Sequence, residues 1–190
     1  RQQLAAAILL DLSAQVAMAG DTCELTGGGN GGAVSTGTYS LACGVNANAS
    51  GNYSTAIGAY SSATGDSTAT GYQSDASGNS TATGRNSLAY SGSVAVGENS
   101  FAGFDSSATG NGSFALYSSV ANGSGSFASY SSTATGFDST ANNYSSATGT
   151  GSYANNGSNA SGANSTALNY SNATGTGSYA NNNSNASGAY

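Results

Sequence analysis

The sequence predicts an all-β chain that folds as a parallel β-solenoid with about 13 residues in each coil. Ser recurs from Ser54 to Ser184 at alternating steps of seven and six residues. Ala stands two positions after each of these serines, from Ala56 to Ala186, and every seven-residue unit carries Gly at its fifth position. A fixed period this short is typical of a solenoid in which each repeat stacks on the last.

Each unit is predicted to contribute one short strand centred on its Ala. Thr, Val, Tyr and Phe alternate with Ser, Ala and Gly, which is the period-two pattern of a strand. Gly in the seven-residue units suits a tight corner with positive φ. The chain contains no Pro, so every ladder position has an N–H donor. Successive coils should stack at a spacing of about 4.8 Å.

The repeated Ala predicts a thin interior made of Ala, Ser and Gly. The residues beside Ala vary freely and include Asp75 and Asn159. A buried position would reject them, because burying an unpaired polar group costs several kcal/mol. We therefore place the flanking residues outside. The opposite phase, with Val, Ile, Phe and Thr inside, suits a thicker solenoid and stays open at this point.

Aromatic residues recur with the same period and predict two columns on the outside of the rod. An interior of methyl groups contributes only about 0.8 kcal/mol for each methyl, whereas each ordered residue costs about 1–2 kcal/mol of backbone entropy. Exposed apolar columns usually mark an interface, so we expect burial between chains of a homo-oligomer, a trimer or a filament. The alternative is that the rings only stack on each other at the surface. The first column is Phe101, Phe114 and Phe127, with Tyr153 and Tyr179 at the same repeat position, and the second is Phe104, Tyr117 and Tyr130.

Residues 1–19 differ from the repeats. Arg1, the apolar run Leu4–Leu10 and the motif Ala17-Met18-Ala19 resemble a secretory signal. The apolar run is too short to span a bilayer. The alternative is an amphipathic helix that caps the first coil, because terminal coils of a solenoid need covering.

Residues 20–39 form a Gly-rich join, and the repeat array covers residues 40–190. The join lacks the pattern of a phosphate-binding loop. Cys23 and Cys43 are the only cysteines, and in a chain that looks secreted they predict a disulfide that would contribute roughly 3 kcal/mol. The alternative is two free thiols. The chain has no His, so a zinc site is not expected.

Four asparagines recur at the thirteen-residue period near the end of the chain. Stacked amides hydrogen-bond from one coil to the next, so these residues predict a ladder along the rod. Each also begins an Asn-x-Ser sequence, which makes it a possible glycan acceptor. The two roles exclude each other, and the unmodified ladder is favoured. The four residues are Asn143, Asn156, Asn169 and Asn182.

Composition argues against nucleic-acid binding and catalysis. Only 5% of residues are charged, the net charge is −6, and the two cationic residues are Arg1 and Arg85, too few for a phosphate-binding surface. Without His or Lys, no general base activates the many serines. The carboxylates are expected to be solvated loop residues, and we expect no enzyme activity, cofactor or metal site. The repeat carboxylates are Asp66, Asp75, Glu98, Asp105 and Asp138.

Two segments resemble the head repeats of trimeric autotransporter adhesins, the YadA-like head. They are residues 54–65, STAIGAYSSATG, and residues 93–100, SVAVGENS. The resemblance covers roughly residues 40–190 and is specific to about residue 110. It implies a left-handed parallel β-roll, assembly into a homotrimer, and display on a bacterial surface to bind host matrix or other cells. The chain departs from the family in its shorter period, its lack of Lys, and the absence of a recognisable neck, stalk or membrane anchor.

We therefore expect a non-enzymatic, extracellular adhesive solenoid. One alternative is a self-assembling filament subunit, because an uncovered coil presents unpaired strand edges. Another is an ice-binding protein, since residues 68–70, 81–83 and 133–135 are Thr-Ala-Thr triplets, although Val94 and Val96 interrupt the series.

Overall fold

The computed structural model describes residues 20–23 and 29–189. Within these residues the regular structure consists of short β-strands and turns, with no helix. None of the residues described forms a helix suited to crossing a membrane. The predicted signal or capping helix at residues 1–19 lies outside this part of the chain.

The strands form two parallel sheets, one of thirteen and one of twelve strands. The thirteen-stranded sheet, called sheet A, contains β1 (Asp21–Thr22), β3 (Leu41–Cys43), β5 (Thr55–Ile57), β7 (Thr68–Thr70), β9 (Thr81–Thr83), β11 (Val94–Val96), β13 (Ser107–Thr109), β15 (Val120–Asn122), β17 (Thr133–Thr135), β19 (Ser146–Thr148), β21 (Asn159–Ser161), β23 (Asn172–Thr174) and β25 (Asn185–Ser187).

The twelve-stranded sheet, called sheet B, alternates with sheet A along the chain. It contains β2 (Val34–Ser35), β4 (Asn48–Ala49), β6 (Ser62–Thr64), β8 (Asp75–Ser77), β10 (Leu88–Tyr90), β12 (Phe101–Gly103), β14 (Phe114–Leu116), β16 (Phe127–Ser129), β18 (Thr140–Asn142), β20 (Tyr153–Asn155), β22 (Thr166–Leu168) and β24 (Tyr179–Asn181).

Each strand pairs in parallel with the strand two places later, so one coil consists of one strand from each sheet and two turns. Thr55 lies beside Thr68, which is a step of thirteen residues. The coils that begin at β2, β3 and β4 are one residue longer, as Leu41 lies beside Thr55, a step of fourteen. The parallel β-solenoid with a thirteen-residue coil, predicted from the Ser and Ala series, is therefore confirmed.

The strand pairing begins upstream of residue 40. Asp21 pairs with Leu41, and Val34 pairs with Asn48. Thus β1 and β2 lie within residues 20–39, the segment that the sequence assigns to a Gly-rich join. Each of these strands is only two residues long, which is too short to show an alternating pattern. The sequence analysis therefore identified only the Gly-rich composition of the segment.

The interior consists of alanine and serine side chains from the two facing sheets. From Ala56 to Ala180 the repeat alanines are at most 2% exposed to solvent. The flanking residues point outward, as at β11, where Val94 and Val96 are exposed on either side of buried Ala95. The prediction of a thin Ala interior is confirmed, and the alternative phase is wrong.

Buried serines close the interior in two ways. After a seven-residue unit, the Ser hydroxyl donates to the Gly carbonyl three residues earlier, as Ser100 Oγ does to Gly97 O at 2.8 Å. After a six-residue unit, the Ser N–H instead donates to the Ser hydroxyl one coil earlier, as Ser106 N does to Ser93 Oγ at 3.1 Å. Among residues 20–23 and 29–189, no buried side-chain nitrogen or oxygen lacks a hydrogen-bond partner.

Glycine at the corners allows the coils to stack closely. Gly97 has a φ of +134°, and a Cβ placed there would overlap the carbonyl oxygen of Gly110 in the next coil. A side chain at this position is therefore excluded twice, by the backbone conformation and by the neighbouring coil.

Candidate functional site: the aromatic face and the asparagine ladder

The first predicted aromatic column lies on the outer face of sheet B. Phe101, Phe114 and Phe127 are the first residues of β12, β14 and β16. The ring centroids of Phe101 and Phe114 are 4.6 Å apart, and those of Phe114 and Phe127 are 5.1 Å apart. These distances match the rise of one coil, so the parallel pairing of the strands sets the stacking of the rings.

The second column lies in the turns that follow sheet B. Phe104, Tyr117 and Tyr130 have positive φ values of 57°, 56° and 55°. Their ring centroids are 5.0 Å apart between Phe104 and Tyr117 and 4.9 Å apart between Tyr117 and Tyr130. A left-handed backbone at a bulky residue is unfavourable, and ring stacking along the column offsets part of that cost.

Tyr90 connects the two columns, a contact that the sequence analysis did not foresee. Its ring packs edge-on against Phe101 and Phe104, with centroids 5.4 Å away in each case. Gly103 makes this possible, because a Cβ there would lie only 2.7 Å from Tyr90 Cε2. The sequence could have indicated this contact, because Tyr90, Gly103 and Leu116 share one repeat position. The small Gly103 therefore leaves space beside the larger side chain of Tyr90.

Together these residues form one continuous apolar surface, called here the aromatic face. It consists of Tyr90, Phe101, Phe104, Phe114, Leu116, Tyr117, Phe127 and Tyr130. In a single chain much of this surface meets solvent: the exposed fraction is 36% for Phe127, 43% for Phe104 and 51% for Tyr130.

The aromatic face does not extend with the same density toward the end of the chain. Tyr153 and Tyr179 begin β20 and β24, at the repeat position of Phe127. Thr140 lies between Phe127 and Tyr153 in the pairing, and Thr166 lies between Tyr153 and Tyr179. These two tyrosines are therefore outward-facing but separated from the continuous stack.

The four predicted asparagines form a hydrogen-bonded ladder in the turns after sheet B. Asn143 Nδ2 donates to Asn156 Oδ1 at 3.2 Å, and Asn156 Nδ2 to Asn169 Oδ1 at 3.0 Å. Asn169 Nδ2 donates to Asn182 Oδ1 at 3.4 Å. A glycan would have to take one of these amide nitrogens, so the contacts favour the ladder over the acceptor role.

A second asparagine ladder, which the sequence analysis missed, runs along the outer face of sheet A. Asn159 Nδ2 donates to Asn172 Oδ1, and Asn172 Nδ2 donates to Asn185 Oδ1, each at 2.9 Å. The thirteen-residue spacing of these residues is the signal that could have found it.

The disulfide predicted between Cys23 and Cys43 is present, and the two Cα atoms are 4.8 Å apart. It joins the residue after β1 to the last residue of β3, across one parallel strand pair. The bond therefore ties the first described strand to the solenoid.

The carboxylates do not gather into a site. Asp66, Asp75, Asp105 and Asp138 are exposed, and Glu98 forms an ion pair with Arg85 on the surface. Residues 20–23 and 29–189 contain no group of three or more His, Cys, Asp or Glu side chains that could hold a metal ion.

The Thr-Ala-Thr triplets form only a short regular array on sheet A. Thr68 and Thr70 lie beside Thr81 and Thr83. Val94 and Val96 take the paired positions in the next coil. In the preceding coil Thr55 lies beside Thr68, but Ile57 lies beside Thr70, so complete triplets pair over only two coils.

The fold and its turn chemistry define a solenoid of tandem short repeats with buried Ala and Ser. Residues 35–61 match the YadA head domain repeat in two copies. Residues 35–61 therefore carry two YadA-like head repeats, and the later coils continue the same parallel strand pairing. A similar solved structure is the collagen-binding domain of the Yersinia adhesin YadA, at 32% identity and a TM-score of 0.42, with 72% of this chain and 66% of that chain covered. The chain thus spans just under two thirds of that domain. No curated protein sequence matches this chain.

Proposed function

We propose that the chain is the adhesive, non-enzymatic head of a homo-oligomeric protein displayed outside a bacterial cell. The observation that carries this proposal is the YadA-like head repeat at residues 35–61, whose strand register continues without interruption through β25. The rod offers long, regular outer faces, and its interior is too thin to hold a ligand. Its functional groups therefore belong on its surface.

We propose that the aromatic face is the contact between subunits, with a homotrimer as the expected assembly. Full burial of a Phe side chain contributes about 1.5–3 kcal/mol. Phe114 and Phe127 already have stacked partners within the chain, so a neighbouring subunit would meet a preformed surface. A thin Ala interior gives the single chain little other hydrophobic burial, which makes this additional contact valuable for stability.

The ligand we propose is a protein of the host extracellular matrix. This proposal rests on the YadA head repeat at residues 35–61 and on the shape of the rod. An extended rod with repeated outer faces is suited to a fibrous ligand, because successive coils present the same contacts again. Collagen is the first ligand to test, since the similar Yersinia domain is a collagen-binding domain.

Sedimentation of a matched pair of variants tests the subunit contact. Phe114→Ser removes one ring from the centre of the aromatic face, and Val120→Ser removes an exposed apolar side chain from sheet A. We expect the wild-type chain and Val120→Ser to sediment as trimers at micromolar concentration and Phe114→Ser to shift toward monomer. A trimer lost in Val120→Ser but kept in Phe114→Ser would place the contact on sheet A and contradict the proposal.

Binding to immobilised collagen and fibronectin tests the adhesive role. We expect saturable binding by the wild-type chain and weaker binding by Phe114→Ser, because a monomer loses multivalent attachment. Electron microscopy should show discrete short rods. Indefinite fibres together with no matrix binding would instead support the filament alternative.

A further inference from the structure

A cleft opens between two tyrosines in the turns that follow β18, β20 and β22. Tyr144 and Tyr170 form its walls, Gly157 lies between them, and Asn143 and Asn156 complete the lining. Its volume is about 400 Å³, which falls within the usual range for small-molecule sites. The cleft lies beyond the aromatic face, on the part of the rod that carries the asparagine ladder.

The repeat register creates this cleft by omitting one ring from a column. Tyr144, Gly157 and Tyr170 stand thirteen residues apart at the same turn position, with φ values of 61°, 66° and 60°. Two coil rises therefore separate the tyrosines, roughly 10 Å in all. The Tyr170 ring leans toward the gap, since a Cβ on Gly157 would lie 2.9 Å from Tyr170 Cδ1. The two tyrosines are 77% and 73% exposed.

The ladder supplies an unused donor beside these rings. Asn143 begins the ladder, and its amide nitrogen donates toward the next coil, to both Asn155 and Asn156. Asn156 Nδ2 donates only to Asn169 among the described residues, so its second N–H is free. The cleft therefore combines ring surfaces with one N–H donor.

Charge limits the kind of ligand that fits. Residues 139–189 contain no Asp, Glu, Lys or Arg, so neither an anionic nor a cationic ligand would find a counter-charge nearby. Burying an unpaired charge is costly. The ligand expected here is neutral, with apolar faces for the tyrosines and hydroxyl-like groups for the amides.

We infer that this cleft binds a neutral hexopyranose residue of a glycan. A pyranose ring offers C–H surfaces to aromatic rings and a rim of hydroxyls, each able to donate and accept. A proline-rich peptide also docks between aromatic side chains. Such a peptide lacks the rim of hydroxyls that a pyranose presents, and the titration below includes it as a competing outcome. The inference goes beyond the proposed adhesive head and does not depend on the subunit contact.

Titration with a panel of neutral oligosaccharides tests the inference. The probes are oligomers of glucose, galactose, mannose and N-acetylglucosamine, followed by calorimetry and by tyrosine fluorescence, since the chain has no Trp. We expect at least one probe to bind, and Tyr144→Ala or Tyr170→Ala to weaken it about tenfold or more. Tyr144→Phe keeps the ring and should retain most of the affinity.

A matched pair of glycine variants separates the cleft from general damage to the turns. Gly157→Asn places a side chain in the cleft at a turn position where Asn183 already adopts a φ of 58°. Gly112→Asn changes a turn glycine with a φ of +63°, where a Cβ would meet no atom within 4 Å. We expect Gly157→Asn to abolish binding and Gly112→Asn to leave it unchanged, with both variants folded by circular dichroism.

The outcomes that would overturn the inference are distinct. One is no binding of any neutral oligosaccharide by the folded wild-type chain. Another is binding that survives Tyr144→Ala, Tyr170→Ala and Gly157→Asn alike. Preference for a proline-rich peptide or a sulfated oligosaccharide over every neutral probe would also contradict it. The same titration on Phe114→Ser should give unchanged affinity for each subunit, so failure of the proposed assembly would not be mistaken for failure of the glycan site.

Discussion

At the scale of single residues, two hydrogen-bonding roles account for the serine at the start of every repeat unit. Ser100 N already donates to Gly97 O, and the hydroxyl of Ser100 adds a second donor to the same carbonyl. Ser93 has a different role, because its hydroxyl is the acceptor for the buried N–H of Ser106 in the next coil. The shorter turn leaves that N–H without a backbone partner, so the side chain completes the ladder.

This difference predicts unequal costs for two serine truncations in the same coil. Ser93→Ala leaves the Ser106 N–H buried without an acceptor and should lower the free energy of unfolding by about 1–3 kcal/mol. Ser100→Ala removes a hydrogen bond whose carbonyl keeps another donor, and should cost about 0.5–1.5 kcal/mol. Urea unfolding of both variants measures the difference. Equal costs, or a larger cost for Ser100→Ala, would show that the acceptor role is unimportant.

The asparagine ladder leads to a second prediction at this scale. Asn156 is both acceptor and donor within it, so Asn156→Ala should lower the free energy of unfolding by about 1 kcal/mol. Mass spectrometry of the protein from its native host should show no hexose-sized increments on peptides that contain these asparagines. Hexose-sized mass increments that disappear when the four ladder asparagines become Gln would show that they act as glycan acceptors instead.

At the scale of strands and turns, the strands were predictable and the shorter turns were not. Each strand centres on a repeat Ala, and alternation fixes which side chains point inward. The turns after sheet B use left-handed residues that are not glycine, including Tyr117 and Ser118 with φ values of 56° and 59°. Propensity disfavours this conformation at such residues, so only the pairing of neighbouring coils imposes it.

Corner glycines predict a second contrast, this time between two turn positions. Gly97→Ala places a Cβ against the backbone of the next coil at a φ of +134° and should cost about 3 kcal/mol or more. Gly112→Ala has open space at a φ of +63° and should cost about 1 kcal/mol. Thermal unfolding monitored by circular dichroism measures both. A Gly97→Ala chain as stable as Gly112→Ala would mean that the coils can separate to accept a side chain.

At the scale of the whole molecule, periodicity predicts the rod but not how its surface is divided. The columns of Phe101 and Phe104 follow directly from a thirteen-residue spacing. Their union into one surface depends on Tyr90 reaching over Gly103, which requires the three-dimensional positions of neighbouring columns. The cleft beside Gly157 was missed for the same reason: a sequence pattern marks the residues that recur, whereas this site is defined by a ring that is missing.

The same one-dimensional organisation governs how the disulfide stabilises the rod. Each coil contacts mainly its neighbours, so stability in a solenoid is the sum of local terms. Cys23 and Cys43 close a span of 20 residues at the first described strands, and the bond should contribute about 3 kcal/mol there. Reduction should therefore release β1 from β3 and raise hydrogen exchange near residues 41–57, while residues 101–130 keep their protection. A Cys23→Ser, Cys43→Ser double variant should match the reduced chain. Equal loss of protection along the whole rod would show that the solenoid unfolds as a single cooperative unit.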